Sequence, residues 1–341
     1  MLLVVFTLLV TTKQFFGDPI HCMGDDDKNK DAINSFCWTY GTYTLRSSLV
    51  GRVGVDIIQQ GVGPVKGIDD TEIKHTYYQW VCFVLLGQAI MFYFPRYLWK
   101  IWEGGRLKAL TAGLTCPVAN KGLEKYENRR KEVVDYLSCS NLNVHKMYAL
   151  KFAFCELLNL INVIVQLFLM DVFLGGSFHN YGAAVAAFSK TDTTTPNPMD
   201  RVFPKLTKCA FKYFGASGSV QIIDRLCVLP LNIVNEKIFA VMWFWLIILI
   251  CLSSICFIYR ILLIALPQLR TNVLMSQVRC VNRNIVSKLV NRCNYGDWFV
   301  LHSLGKNINP LIYKTLILEL ADELNDDSTY SKVPIISCEN K

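Results

Sequence analysis

The stretch IFAVMWFWLIILICLSSICFIY, from Ile238 to Tyr259, contains no charged side chain and is followed directly by Arg260. A helix rises about 1.5 Å per residue and the hydrocarbon core of a bilayer is about 30 Å thick, so a run of this length can cross a membrane. It is the clearest of several apolar runs in the chain. It predicts an integral membrane protein, and the other runs decide how many times the chain crosses.

The composition agrees with a protein that crosses a membrane several times. The 341 residues are 52% hydrophobic and 18% charged, whereas soluble globular chains carry about 25% charged residues. The net charge of +8 is modest, and basic cytoplasmic loops give the same sign as a nucleic-acid-binding surface. Because no dense Lys/Arg block interleaved with aromatic residues occurs, we do not expect nucleic acid as a partner. No catalytic, nucleotide-binding or zinc-binding motif occurs either, so we expect no enzyme activity, metal or cofactor.

Two further apolar runs predict membrane helices. The first covers residues 77–95 and is uncharged up to Phe94. The second covers 148–174 and is weaker, because it contains Lys151 and Glu156. A lysine near a helix end can extend its ammonium group to the interface, so this run still predicts a span. With 238–260, three complete spans are expected.

The segments between the spans predict the topology. Segment 13–76 is long and acid-rich, segment 96–147 is basic, and the tail 261–341 is net basic. Because cytoplasmic loops carry an excess of Lys and Arg, 96–147 and 261–341 are expected in the cytoplasm. Segments 13–76 and 175–237 are then extracellular.

The run at residues 1–12 completes this topology. It is uncharged, but as a helix it measures about 18 Å, which is too short to cross a bilayer. It lacks the basic start and the small-residue cleavage site of a signal peptide. Since 13–76 is expected outside, we interpret 1–12 as the outer half of a first span whose amino-terminal part is missing. The predicted fold class is an all-α membrane protein with four transmembrane helices, disulfide-linked extracellular loops and a cytoplasmic helical region.

The topology also sorts the thirteen cysteines. Cys22 and Cys37 lie in the first extracellular loop, and Cys209 and Cys227 lie in the second. The other nine lie in spans or in cytoplasmic segments, where thiols stay reduced. Disulfides are therefore expected among the extracellular four. Four cysteines allow three pairings, and the residues alone do not choose between them.

Long, ordered motifs give the chain a resemblance to the innexins, the gap-junction proteins of invertebrates, which are related to the pannexins. The resemblance is to the insect type and runs from residue 1 to about 324. The motifs are TTKQFFGDPIHC (11–22), FCW (36–38), YYQWVCFVL (77–85), FPRYLWKIWEGGRLK (94–108), RVFPKLTKC (201–209), GASGSVQ (215–221), LCVLPLNIVNEKIF (226–239), YRILLIALPQLR (259–270), GDWF (296–299) and LGKNINPLIY (304–313).

The resemblance implies a function and a disulfide pairing. Innexins have four membrane helices and form rings around a wide pore, as hemichannels or, when two rings dock, as intercellular channels. By this resemblance the chain is a plasma-membrane subunit that passes ions and small solutes. It contacts lipid, assembles with identical or other innexin subunits, and docks with a ring in the apposed cell. The family pattern pairs Cys22 with Cys227 and Cys37 with Cys209.

Two other functions remain open at this point. The family carries some thirty residues before the position of Met1, including a short helix that folds into the pore. A chain without them could be a shortened innexin that blocks or regulates rings. A four-span adhesion protein without a pore is the other alternative, although the cysteine motifs of such proteins are absent.

Three sets of residues are candidates for further roles. Pro95 predicts either a gating hinge or the end of the second span. On the third span, Asn159, Asn162 and Gln166 fall within a narrow arc at 100° per residue, with Glu156 about 60° away, and we favour bonding between helices over pore lining for this stripe. The acids Asp25, Asp26 and Asp27 are typical of a solvated turn. Their alternative role is a cation-favouring ring at the pore mouth.

In the tail, Asn309 and Pro310 are typical of an N-cap and a first helical residue. They predict a helix from there to about Leu324.

Overall fold

The computed structural model describes residues 1–24, 30–49, 54–57, 59–64, 70–114, 123–138, 142–188, 197–278 and 281–323. The protein is mostly helical. Three helical stretches are long and apolar enough to cross a membrane: Val81–Glu103, His145–Phe173 and Pro230–Ala265. The first helix, Leu2–Phe16, is apolar but shorter.

Within the described residues the chain forms helices and strands in a definite order. The helices are α1 (Leu2–Phe16), α2 (Lys30–Tyr40), α3 (Val81–Glu103), α4 (Arg106–Thr111), α5 (Leu123–Ser138), α6 (Leu142–Phe173), α7 (Phe178–Ala187), α8 (Pro198–Val202), α9 (Pro230–Ala265), α10 (Pro267–Gln277), α11 (Arg283–Arg292), α12 (Tyr295–Gly305) and α13 (Pro310–Glu323). The strands are β1 (His21–Cys22), β2 (Thr42–Leu45), β3 (Glu72–His75), β4 (Leu206–Phe214) and β5 (Val220–Val228).

The five strands form one antiparallel sheet in the order β1-β5-β4-β2-β3. Its largest part is the β4–β5 hairpin, which pairs from Leu206 with Val228 to Phe214 with Val220. Gly218, in the turn of this hairpin, has φ +76°, a conformation that favours glycine. The neighbouring pairs β1–β5 and β2–β4 join strands from segment 13–76 to strands from segment 175–237, so the sheet is built from both.

The chain divides into two compact units. The first, here called the sheet unit, comprises residues 1–93 and 161–251. Its core is apolar and aromatic, with Tyr78, Phe178, Phe203 and Phe239 all fully buried. The rings of Phe203 and Phe239 lie 5.0 Å apart. Helix α9 therefore begins inside this core before it continues as an apolar span.

The second unit, here called the helix unit, comprises residues 94–160 and 252–341. Its described core is formed largely by α5 and α10–α13, around the buried side chains of Trp298 and Tyr313. The Tyr313 hydroxyl donates to the carbonyl of Leu301 at 3.0 Å, and the Trp298 indole donates to the carbonyl of Arg270 at 3.2 Å. The only polar atoms of these two large side chains are thus satisfied, as burial requires.

Asparagine and proline start several helices of the helix unit. Asn309 Oδ1 accepts a hydrogen bond from the Leu311 amide at 3.0 Å, and Pro310 is the first residue of α13. This confirms the helix predicted from that dipeptide, and α13 ends at Glu323. Asn282 caps α11 and Asn294 forms a capping box with Asp297 in α12.

The sheet is the main difference from the predicted fold. An all-α protein was expected; the structure is mostly helical but holds a five-stranded sheet in the sheet unit. The membrane-type helices also extend beyond the apolar runs. The helix expected at 77–95 is Val81–Glu103, that at 148–174 is Leu142–Phe173, and that at 238–260 is Pro230–Ala265. Hydropathy detects only the apolar part of a helix, whereas helical hydrogen bonding extends into the polar residues on either side of it.

Candidate functional site

Two disulfides join segment 13–76 to segment 175–237. Cys22 on β1 is bonded to Cys227 on β5, and Cys37 on α2 is bonded to Cys209 on β4. These are the two pairs that the resemblance implies. All four cysteines are buried. The sulfur atoms of Cys22, Cys37 and Cys227 lie within 4.8 Å of one another, so the bridges are adjacent, and their sulfurs are committed to disulfides rather than to a metal.

Polar contacts strengthen the junction between the same two segments. The Tyr43 hydroxyl donates to Asp224, whose carboxylate also pairs with Lys208 at 2.5 Å. Burial and then the bond to Asp224 raise the pKa of Tyr43, so its phenol stays protonated at neutral pH. Gln59 donates to Asp200 at 3.1 Å. Sheet pairing, disulfides and side-chain bonds therefore hold the described parts of 13–76 and 175–237 together.

The turn end of the β4–β5 hairpin carries an uncovered apolar surface. Phe214, Val220 and Ile222 are 76%, 61% and 62% exposed. At about 3.4 Å per residue, strand β5 places Val220, and Phe214 paired with it, roughly 27 Å from Val228, and Ile222 roughly 20 Å from it. We call Phe214, Val220 and Ile222 the hairpin tip. Cys209 and Cys227 lie nearer the opposite ends of these two strands.

Asn162 and Gln166, two members of the predicted polar stripe, bond to the neighbouring helix α3. Asn162 donates to the carbonyl oxygen of Met91 at 3.1 Å, and Gln166 donates to the Met91 sulfur at 3.3 Å. Pro95 lies inside α3 and has no N–H, so the helical donor for the Met91 carbonyl is missing. Asn162 supplies a replacement donor. Pro95 thus interrupts the hydrogen bonding of α3 without ending the helix.

Glu156, the third member of the stripe, has a different partner. Both of its carboxylate oxygens accept from the Arg260 guanidinium, each at 2.7 Å. The guanidinium carbon lies 4.9 Å from the centre of the Phe152 ring and 5.4 Å from that of Phe299. This is a bidentate pair flanked by aromatic rings, a geometry that suits arginine better than lysine. Asn159, the fourth member, is exposed and has no hydrogen bond among the described residues.

The acids Asp25, Asp26 and Asp27 lie outside the described residues. Their predicted roles therefore stay predictions.

Sequence reasoning missed Arg260 as the partner of Glu156 and Met91 as the partner of Asn162. The sequence contained a signal for the pair of Glu156 and Arg260. Each of these charged residues lies at the end of an uncharged run, and the two runs must share a membrane. Opposite charges at matching depth tend to pair, because an unpaired charge there is costly. No signal identified Met91, because its partner atom is a backbone carbonyl that every residue has. Pro95, however, could have indicated which carbonyl was free.

Comparisons with known proteins agree with the motifs. A family model described as Innexin matches residues 1–324. Innexin inx2 of Drosophila melanogaster is 50% identical over 328 residues, which cover 96% of this chain and 88% of that protein. Innexin inx2 of Schistocerca americana is 47% identical over 95% of this chain and 89% of its own length. Innexin shaking-B of Drosophila melanogaster is 41% identical over 98% of this chain and 89% of its own length.

We expect Arg260→Gln to lower the free energy of unfolding by on the order of 3 kcal/mol, because it leaves the Glu156 carboxylate without its partner. The double variant Glu156→Gln/Arg260→Gln should recover much of that loss, since no charge remains unpaired. Unfolding of the detergent-solubilised protein measures both. The control is Lys151→Gln, which removes a charge from α6, the helix that carries Glu156, without breaking an ion pair. Equal losses in the single and double variants would contradict this pairing.

The Asn162 contact predicts a dependence on Pro95. Asn162→Leu should cost about 1–2 kcal/mol, because the Met91 carbonyl then has no donor. In a Pro95→Ala background the helix supplies its own N–H, so the same substitution should cost markedly less. A double-mutant cycle on unfolding measures this coupling. Asn159→Leu serves as the control and should be insensitive to residue 95; additive effects of Asn162→Leu and Pro95→Ala would refute the replacement-donor account.

Proposed function

The chain belongs to the innexin family and is a gap-junction channel subunit; from this premise we propose which parts face the outside, which dock and which shape the pore. Innexins form oligomeric channels in the plasma membrane, and the three long apolar helices are consistent with that location. Our proposal is that ions and small solutes diffuse through the ring that this subunit forms with other innexin subunits. The comparisons favour neither a blocking subunit nor a pore-free adhesion protein.

We propose that four helices lie in the membrane, α1, α3, α6 and α9, of which α3, α6 and α9 are long enough to cross it. Segments 13–76 and 175–237 are then extracellular, and 96–147 and 261–341 are cytoplasmic. The positive-inside bias supports this arrangement, because 96–147 carries the densest positive charge. The disulfides support it independently, since all four bonded cysteines belong to the two segments assigned to the oxidising side. Four other described cysteines, Cys82, Cys155, Cys251 and Cys256, lie in the spans and are free.

The hairpin tip is proposed to contact the ring of the apposed cell. The carrying observation is that a long hairpin, fixed at its base by two buried disulfides, exposes three large apolar side chains at its far end. Two rings that meet end to end need rigid matching surfaces, because ordering flexible loops on contact would reduce affinity. Burial of these apolar side chains under the second ring removes them from water and so stabilises the docked state. The extracellular body therefore suits docking.

Pro95 and the polar stripe are proposed to control the shape of α3. A proline inside a membrane helix lets the helix bend, and the bond from Asn162 to Met91 fixes the bend in one geometry. Pro95 then acts as a hinge that Asn162 restrains. A cation-favouring ring of Asp25, Asp26 and Asp27 at the pore mouth stays a separate prediction.

Docking predicts that changes at the hairpin tip affect cell coupling but not single rings. Phe214→Ser/Ile222→Ser should lower junctional conductance between paired cells at least tenfold, because each subunit loses about 1.5–3 kcal/mol of burial per side chain. Surface expression and dye uptake through undocked hemichannels should stay normal, since both residues are exposed in the subunit.

The conservative variant Phe214→Tyr/Ile222→Val retains most of the apolar surface and should couple cells normally. Cys209→Ser, in contrast, should remove coupling and also reduce surface expression, because it loosens the base of the hairpin. Unchanged conductance in the double serine variant would refute the proposed docking surface.

A further inference from the structure

An open cavity of about 840 Å³ lies in the sheet unit beside the beginning of α3 and the end of α6. Its lining comes from β2, β3 and the turns that follow them, from residues at the two helix ends, and from α8. The disulfides and the hairpin tip do not line this cavity, and neither the disulfide-linked body nor docking explains it.

Three cations line the cavity: Arg46, Lys74 and Arg201. All three are exposed, and none forms an ion pair with a carboxylate among the described residues. Among the described residues, no acid lines the cavity. By contrast, Lys205 and Lys208 of the same unit are paired with acids. Three positive charges that line one cavity, with no described carboxylate beside them, favour an anionic ligand.

A histidine in the lining adds no charge to the cavity at neutral pH. His75 also lines it, and its Nε2 lies 2.8 Å from the Thr44 hydroxyl. Burial lowers the pKa of His75 to about 4, so this ring is neutral at physiological pH. The attraction for an anion therefore comes from the two arginines and the lysine, and His75 contributes only a polar wall.

The cavity also has an apolar part to its lining. It includes Trp80, Val84, Phe173 and Leu174, at the ends of two helices that can cross a membrane. Trp80 is 61% exposed and directly precedes α3. Tryptophan at the end of a membrane helix is typical of the depth of lipid headgroups. The cavity thus combines cationic and apolar lining residues at the level where a phospholipid has its phosphate above its acyl chains.

We propose that this cavity binds a phospholipid of the extracellular leaflet, with its phosphate group against Arg46, Lys74 and Arg201 and its glycerol and upper acyl region against Trp80 and Val84. Guanidinium groups donate paired hydrogen bonds to phosphate oxygens, and the ammonium of lysine adds a point charge. The extracellular placement rests on the topology given under Proposed function. The bound lipid would fix the β2–β3 hairpin relative to the outer ends of α3 and α6 within the sheet unit.

Binding to the purified full-length chain in detergent tests this proposal. Native mass spectrometry is used to titrate dioleoylphosphatidylethanolamine, dioleoylglycerol, which lacks the phosphate, and inorganic phosphate. The wild-type protein should retain the phospholipid, and should bind dioleoylglycerol at least about tenfold more weakly, because charge-assisted bonds to phosphate are lost. Inorganic phosphate should not displace the lipid at equal concentration, because it has no apolar part. Displacement at equal concentration would make this a site for free phosphate and overturn the lipid proposal.

Matched variants locate the binding. Arg46→Gln/Lys74→Gln/Arg201→Gln should weaken phospholipid binding at least about tenfold. Lys30→Gln/Lys212→Gln/Lys237→Gln removes the same charge from exposed lysines outside the cavity and should leave it unchanged. Trp80→Ala should weaken the phospholipid but not its deacylated headgroup, glycerophosphoethanolamine. Equal binding by the two triple variants would overturn the proposal. A triple cavity variant that retains lipid but no longer assembles into rings would assign the cavity to a neighbouring subunit instead.

Junctional conductance between paired cells distinguishes a failure of the lipid site from a failure of the proposed docking. If wild-type chains couple cells and the triple cavity variant binds phospholipid normally, the lipid site is wrong and the channel function stands. If wild-type chains with a normal lipid site fail to couple cells, the proposed docking is wrong and the lipid site stands.

Discussion

Two disulfides between segments far apart in sequence are the constraint on which the sheet unit depends. Cys22 and Cys227 are separated by 205 residues, and Cys37 and Cys209 by 172. In the simplest model, closing a loop of that length lowers the chain entropy of the unfolded state and thereby destabilises that state by about 5 kcal/mol. With the segments held together, the short strands β1, β2 and β3 can pair with the long β4–β5 hairpin, although strands of two to four residues have little stability alone. The rigid base then allows the hairpin tip to be presented without further ordering.

A second constraint acts on the helices, where polar groups must find partners away from water. Pro95 frees a backbone carbonyl in α3, and the amide of Asn162 binds it. Glu156 carries a charge into an apolar helix, and Arg260 binds it with two hydrogen bonds between aromatic rings. In each case one residue that would destabilise a membrane helix is matched by one side chain on another helix. Three of the four stripe residues, Glu156, Asn162 and Gln166, thus bond to another helix, as expected from the cost of unsatisfied groups in lipid.

The sequence predicts some of these features better than others, for physical reasons. Long uncharged runs such as 238–260 are visible because their length is set by the bilayer, and the helix start at Asn309 and Pro310 is visible because capping chemistry is local. The sheet was not predicted, since β1, β2 and β3 are short, and β1 and β2 pair with strands more than 100 positions away. The partners of Glu156 and Asn162 were missed because helix periodicity shows on which face of its helix a residue lies, but not which residue of another helix lies opposite. The disulfide pairing came only through the resemblance.

Mapping the disulfides of the protein at the cell surface tests the central claim most directly. Surface-labelled chains are isolated, digested with trypsin without reduction, and analysed by mass spectrometry. Lys28 and Lys30 separate Cys22 from Cys37, and Lys212 and Arg225 separate Cys209 from Cys227, so the peptides distinguish all three pairings. The account predicts peptides that link Cys22 to Cys227 and Cys37 to Cys209. Peptides that link Cys22 to Cys37 and Cys209 to Cys227 would leave each loop closed on itself and contradict a single stapled extracellular body.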